Sequence, residues 1–312
     1  MSRVLRLLQV QRVQSCLQQA FFNWAKKEIR VLRPKSISTF LKAHAKFIIK
    51  SSTFSPVLLK FKEPAALLVF SAASVGAAAM ADAELSSQAD QLYEQMEYAK
   101  IVEMLEPKKE CDDVELLWRL ARAMYEQHKR LGSDAEKLSY LQQGKVTVER
   151  AMQLNDKHPN CHKWMAIYLN AITKLQGSRA QIEQGQVIKG HMLKACEYGP
   201  SDPTNWHLIG MWAFTVADIS WTMRKLAQVI FGEPPKATFQ EALEYFLKAE
   251  EAQPGSYSMN LLMIAKSYQK LKDNDNAIVY LKKTRDYPVK TMDDQQAHKE
   301  AVDLLKYLGV KD

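Results

Sequence analysis

From Leu85 to the end of the chain, large apolar residues return every three or four positions. That is the period of a helix with one buried stripe, not the alternation of a strand. The stripe has a second, longer regularity. Trp118, Ala121, Arg122 and Tyr125 stand in the frame W-x-x-[LA]-x-x-x-Y, which recurs at Trp164, Ile167 and Tyr168 and at Trp206, Ile209 and Gly210. A fourth copy carries Leu in place of Trp, with Leu261, Ile264, Ala265 and Tyr268. After the third copy, Ala242, Phe246, Ala249 and Pro254 read A-x-x-x-F-x-x-A-x-x-x-x-P. Ala277, Leu281 and Pro288 repeat this loosely, with Thr284 at the second small position. Each copy therefore predicts two helices: small residues let them approach, large ones fill the space beside them, and Pro stops the second.

Copies held in register predict an all-α, tetratricopeptide-like helical repeat solenoid. Residues 85–105, with Leu92, Tyr98 and Leu105, read as a degenerate first hairpin. The segments 126–144 and 218–236 are longer than a plain repeat allows between its helices. In "DISWTMRKLAQVIFGEPPKATF" the surplus predicts an inserted helix followed by a turn at Pro234–Pro235. "DDQQAHKEAVDLLKYLG", 293–309, predicts a C-terminal capping helix with Ala297, Ala301, Leu304, Leu305 and Leu308 inward. Its polar outer face is what the end of a solenoid needs.

Composition agrees with helix, since Gly and Pro number only 11 each. The four cysteines show no paired spacing, which argues against a disulfide framework and fits reducing surroundings. Charge changes the picture more. The net +8 conceals a division: residues 1–62 hold 13 Lys or Arg against one acid, Glu28, a balance of +12. The remainder holds 30 basic and 34 acidic residues, a balance of −4. Residues 1–62 are thus a basic arm on a mildly acidic remainder, 63–312, whose repeat part is 85–312.

The arm opens with Val4, Leu7, Leu8 and Val10 on one helical face, Arg3 and Arg6 at its edge, and no acid before Glu28. Two readings stand together: a mitochondrial import segment, or a basic arm for acidic surfaces such as anionic lipid and tubulin tails. Lys26, Lys27, Arg30, Arg33, Lys35, Lys42, Lys46 and Lys50 are its candidate contacts. No nucleic-acid-binding fold follows the arm, so a nucleic-acid partner is not expected. Within 63–84, the stretch "PAALLVFSAASVGAAAMA", 64–81, is uncharged but rich in Ala, Ser and Gly. It stands at the lower limit of a membrane span and reads equally as a packed or cleaved segment.

Enzyme signatures are missing: there is no G-x-S-x-G, no P-loop, no G-x-G-x-x-G after a strand and no H-E-x-x-H. "HPNCH" offers His158, Cys161 and His162 as metal ligands, but Pro159 and Asn160 mark a turn and no fourth ligand accompanies them. Glu250–Glu251 and Asp293–Asp294 fall at helix ends, where carboxylates are ordinary. The expectation is a non-enzymatic chain with no cofactor and no metal.

In a repeat of this kind the first helices line the concave face. The positions two before, one after and five after each Trp position give Leu116, Arg119 and Ala123, then His162, Met165 and Leu169. The third copy gives Thr204, His207 and Met211, with Phe214 a turn further, and the fourth gives Met259, Leu262 and Lys266. Leu116, Arg119, Met165, Leu169, His207, Met211, Phe214, Leu262 and Lys266 are the candidate groove residues. Their apolar, Met-bearing character suits an amphipathic helix or a phospholipid acyl chain, with Arg119 and Lys266 near an anionic group. Filling of a tight superhelix by the same side chains is the competing reading.

The blocks "DVELLWRLARA", "HKWMAI" and "HLIGMWAFTVADISWTMRKLAQVIFGEPPKATFQEALEYFLKAE" resemble the regulator of microtubule dynamics family over residues 85–310. The basic arm and short apolar stretch are similar to those of its mitochondrially associated member. The resemblance implies a repeat adaptor that associates with microtubules and spindle poles, with a place at mitochondria or the cytoplasmic cytoskeleton. It also implies a link to organelle membranes, because a paralogue tethers mitochondria to the endoplasmic reticulum and carries lipid in its repeat domain. That paralogue's double-Phe motif has acidic flanks, whereas Phe21–Phe22 here has basic neighbours, so that tether is not implied for this chain.

Overall fold

A computed structural model describes residues 80, 82–231 and 233–310. The candidate contacts Lys26, Lys27, Arg30, Arg33, Lys35, Lys42, Lys46 and Lys50 lie outside the described residues, as does nearly all of 64–81. Among the described residues no helix is long and apolar enough to cross a membrane.

Every regular element described is helical. After α1 (82–94) come α2 (Tyr98–Leu105), α3 (Val114–His128), α4 (Asp134–Leu154), α5 (Pro159–Gln176) and α6 (Ser178–Tyr198). Then follow α7 (Pro203–Ala217), α8 (Trp221–Phe231), α9 (Phe239–Ala252), α10 (Ser258–Lys270), α11 (Asn274–Arg285) and α12 (Met292–Tyr307). Local sequence explains the starts. Asp113 accepts from the amides of Glu115 and Leu116 at 2.7 and 3.2 Å, and Asp202 from that of Thr204 at 2.9 Å. Ser133 with Glu136, Thr238 with Glu241 and Thr291 with Asp294 form reciprocal capping boxes. Pro159 and Pro203 open α5 and α7, where a missing amide hydrogen costs nothing.

The helices stack in pairs of the tetratricopeptide kind: α3 and α4, α5 and α6, α7 and α9, α10 and α11, with α12 closing the row, while Ala89 of α1 packs with Ile101 and Leu105 of α2 to form the first hairpin. The core runs as a chain of linked clusters. Ile101, Leu105, Leu116 and Leu120 bind the first hairpin to α3, and Trp118, Leu141, Val148, Trp164 and Tyr168 join α3 to α5. Ile188, Met192 and Ile209 join α6 to α7, and Ala242, Phe246, Met263 and Ile264 join α9 to α10. Leu281, Ala297, Ala301 and Leu305 seat the closing helix, with Leu304 and Leu308 packed against them. Each unit thus buries its apolar stripe only against its neighbours, as solenoids do.

Two surplus segments resolve differently. In 126–144 the extra residues lengthen the second helix, since α4 runs for 21 residues and the link before it is short. In 218–236 the extra residues form the separate helix α8, followed by the buried pair Pro234 and Pro235.

Small residues set how closely paired helices approach. A Cβ on Gly210 of α7 would stand 2.6 Å from Phe246 Cε1 on α9. In the second copy the small position is filled by Tyr168, which is fully buried. The room comes from α4, where a Cβ on Gly144 would meet the Tyr168 ring, and Tyr168 Oη donates to the Ala121 carbonyl at 2.7 Å.

Candidate functional site: the inner face of the first helices

The predicted groove positions fall on α3, α5, α7 and α10, the first helices of their pairs. Their depths differ from expectation. Leu116, Met165 and Leu262 are buried, as are Ala123 and His162. These three candidates have almost no exposed surface and pack in the core. The reason is packing between first helices: Leu116 clusters with Ala89 of α1, and Leu262 with Ala297 and Ala301 of α12. Arg119, Leu169, His207, Met211, Phe214 and Lys266 are half-buried.

Both candidate cations are already paired. Arg119 donates from Nη2 and Nε to Asp90 Oδ2 at 2.8 and 3.0 Å, and from Nη1 to Glu115 Oε2 at 2.6 Å. Its guanidinium also lies 4.2 Å from the Trp118 ring centre. Arg122 completes the cluster, reaching Asp90 Oδ1 at 2.6 Å while stacking 3.9 Å over Tyr93. Burial pushes the Asp90 carboxyl up, but the hydrogen bonds and charges of Arg119 and Arg122 outweigh it and hold it below its ordinary value. At the other end Lys266 pairs with Glu300 of α12.

Glu115 collects three donors. His158 Nε2 approaches Oε1 at 2.9 Å, and Trp118 Nε1 reaches Oε2 at 2.8 Å beside Arg119. The bond to His158, helped by Trp118 and Arg119 against burial, lowers Glu115 to about 2. His158 is thus spent on a carboxylate of the previous repeat. Cys161 is buried in the core, and burial raises its thiol to about 12. His162 Nε2 lies 2.7 Å from the Asp156 carbonyl, which makes it the donor, so its Nδ1 accepts from His191 Nδ1 at 2.9 Å. The three "HPNCH" side chains therefore point to three different partners. Among the described residues no group of three or more His, Cys, Asp or Glu is placed to hold a metal ion.

In the middle of the face, His207 Nδ1 pairs with Asn260 Oδ1 at 3.0 Å, and its ring lies 5.5 Å from Phe246 and 5.0 Å from Tyr257. Burial lowers its pKa, so the imidazole is neutral at pH 7. Met211 and Phe214 pack on the cluster around Phe246, and Phe214 meets Phe239 edge-on at 5.2 Å. The remaining inner face is apolar, partly covered and without spare positive charge.

Two buried asparagines that tie the repeats together escape the frame-based reading. Asn205 Nδ2 donates to the carbonyls of Ala195 and Gly199 at 3.0 and 2.9 Å, and Asn260 Nδ2 to that of Phe246 at 3.0 Å. Both are buried and tie a first helix to the second helix of the preceding repeat. The signal was present: an Asn stands directly before Trp206 and before Leu261. In the second copy Lys163 holds the same place and pairs with Asp202 at 2.6 Å.

The repeat body has well-defined relatives. Regulator of microtubule dynamics protein 1 of Bos taurus is similar at 40% identity over 224 residues, covering 72% of this chain and 71% of that protein. The protein of the same name from Mus musculus is similar at 39% over 239 residues, covering 76% and 78%. Among solved structures, a thermophilic TPR protein of Thermus thermophilus is similar at 15% identity with a TM-score of 0.48, over 70% of this chain and 97% of that one. The family profile described as regulator of microtubule dynamics protein 1-3 matches residues 85–309. With the frames, the inserted helix and the closing helix all inside that match, the chain belongs to the regulator of microtubule dynamics protein 1-3 family.

Proposed function

We propose that this chain is a non-enzymatic repeat adaptor that associates with microtubules and helps to regulate their dynamics or the attachment of organelles to them. The observation that carries the reading is the family match across the whole repeat body. Residues 85–312 are then the repeat domain, 63–84 an apolar connector or membrane span, and 1–62 the arm that meets acidic surfaces. The division of charge supports this: the arm is +12 while the rest of the chain, 63–312, is −4, so attraction to the acidic surface of tubulin resides in the arm. Lys26, Lys27, Arg30, Arg33, Lys35, Lys42, Lys46 and Lys50 are its contacts, at mitochondria or on the cytoplasmic cytoskeleton, including the spindle.

Co-sedimentation of the full chain with microtubules tests this. Binding is expected to weaken steeply with salt, since exposed charge pairs screen within about 8–10 Å. Exchanging the eight arm residues for Gln is expected to abolish it. Pelleting that ignores both salt and the exchange refutes the arm contact. The second reading, a lipid-binding or lipid-transfer module, is favoured by the half-buried Leu169, Met211 and Phe214 on the inner face. The pairing of Arg119 and Lys266 weighs against an anionic headgroup beside them. Lipid that co-purifies with the chain and disappears on Met211→Asp would turn the choice to this reading.

A further inference from the structure

Helix α8 interrupts a repeat whose two helices, α7 and α9, pack directly on each other. It is nevertheless tied down. Arg224 Nη2 donates to the Val216 carbonyl at 2.7 Å and Nη1 to the Pro235 carbonyl at 3.3 Å, so one guanidinium gathers both flanks of the insertion. Pro235 in turn sits against Gly185 of α6, where a Cβ would come within 2.8 Å of its ring.

With its inner side so engaged, α8 turns Trp221, Lys225, Gln228 and Val229 outward, at the spacing i, i+4, i+7, i+8. Trp221 is 71% exposed and Val229 84%, with Ile219 at 38% just before the helix. No Asp or Glu occurs from Ile219 to Phe231. The flanking acids are occupied, Asp218 by Lys270 and Glu233 by Lys236, while Lys225 makes no ion pair among the described residues. Other exposed aliphatics, such as Val146 and Val187, stand singly among polar neighbours, which is ordinary for a surface.

We propose that the outer face of α8 is a membrane-contact surface that rests on an anionic lipid bilayer. Trp221 and Val229 enter the boundary between headgroups and acyl chains, and Lys225 lies among the phosphates. Trp is suited to that boundary by its apolar body and polar edge. An exposed lysine beside it adds attraction to a negative surface. Three exposed apolar side chains fall well short of the roughly 800 Å² per partner of a stable protein interface. They suffice for a reversible bilayer contact, where binding scales with the apolar area inserted. The basic arm supplies a second attraction in the same chain, so a weak α8 contact acts intramolecularly once the arm is down. This inference is independent of the microtubule reading.

The test uses the full chain with vesicles of phosphatidylcholine alone and of phosphatidylcholine mixed with phosphatidylserine. Slowed amide exchange across 219–231 is expected with the anionic vesicles and not with the neutral ones. Trp221→Ala with Val229→Ala is expected to remove that protection and weaken partitioning by at least about tenfold, the factor that partial burial of an aromatic and a valine is worth. Lys225→Glu is expected to act in the same direction. All variants keep the arm, so its own attraction is common to them, and the exposed positions leave the melting temperature unchanged. Exchange at 219–231 that ignores vesicles, or a double variant that partitions like the wild type, overturns the proposal. So does protection that rises with protein concentration without lipid, which would assign the face to a second copy of the chain.

Discussion

The close approach of α7 and α9 at Gly210 makes a prediction of sign. Ala is favoured over Gly inside a helix by about 1 kcal/mol, so on propensity alone Gly210→Ala stabilises. The structure opposes this. The new Cβ would lie 2.6 and 2.7 Å from Phe246 Cε1 and Cδ1, closer than real Cβ atoms come, and 3.1 Å from Cγ. Phe246 has no exposed surface, and its ring is enclosed by Ala213, Leu243, Met263 and Ile264. It therefore has nowhere to retreat, and the helices must part. Overpacking of this kind costs about 1–3 kcal/mol, which leaves Gly210→Ala destabilising by up to about 2 kcal/mol net.

Gly190 on α6 is the internal control, because it is exposed and a Cβ there meets nothing within 4 Å. Gly190→Ala is expected to stabilise by about 0.5–1 kcal/mol. Urea unfolding of the full chain, followed by far-ultraviolet circular dichroism, reads both: the midpoints move in opposite directions with equal slopes. Adding Phe246→Leu to Gly210→Ala is expected to recover part of the loss, an interaction energy of about 1 kcal/mol between touching positions. If both alanines raise the midpoint alike, the account of the small repeat position as a steric requirement is wrong.

Acid has a defined effect at the α5–α6 junction. Burial, then the charges of His162 and Lys194, lower His191 to about 4, and burial lowers His162 too, so the unfolded chain takes up protons first as pH falls below about 6.5. Stability is expected to be full above that pH and to fall between about 6.5 and 4, by about 1–2 kcal/mol because His191 is partly solvated, with a shallower fall in His191→Gln. Asn260→Ala removes the donor to Phe246 O and leaves His207 Nδ1 without its partner; a loss of about 1–3 kcal/mol is expected in urea unfolding, and a loss below about 0.5 would contradict the tie between repeats. Glu115→Ala strips the half-exposed carboxylate from Trp118, Arg119 and His158, with an expected loss of about 1 kcal/mol at pH 7 that fades toward pH 2, where Glu115 protonates in the wild type.

The frames Trp118, Trp164, Trp206 and Leu261 placed four first helices in the sequence because each motif is local and its period is that of one helix. The second helices that follow the Trp118 and Trp164 frames were not legible. There the positions taken by Ala242, Phe246 and Ala249 on α9 hold Gly144, Val148 and Ala151 on α4, then Ile188, Met192 and Ala195 on α6. These are the same depth with other volumes, and volume is fixed by what lies opposite. Tyr168 shows why. A bulky residue at a small position reads as a departure from the frame until Gly144, on the preceding helix, is found beside it. The depth of the groove candidates was hidden for a related reason: the frame gives the direction of a side chain and not how far it is covered. Leu116, Met165 and Leu262 point inward and are then covered by neighbouring helices.

Charge on the inner face follows the same logic and bears on where an acidic partner binds. The sequence shows Arg119 and Lys266 as cations, but their partners Asp90 and Glu300 lie 29 and 34 positions away. An acidic peptide entering there would have to displace Asp90 and Glu115 from Arg119, and Glu300 from Lys266. Each new charge pair would then leave a carboxylate of the protein half-buried and unmatched, which removes most of the gain. A face whose cations are already matched is suited to apolar occupants or to structure. On the proposed reading, spare positive charge for tubulin is sought instead where no acid competes, in the arm with its single Glu28. Asp90→Asn, Glu115→Gln and Glu300→Gln together would then free both inner cations without touching the arm. If the adaptor reading with its arm contact is right, that change leaves the salt dependence of microtubule co-sedimentation as it was; a marked gain in pelleting would move the acidic-partner site to the inner face.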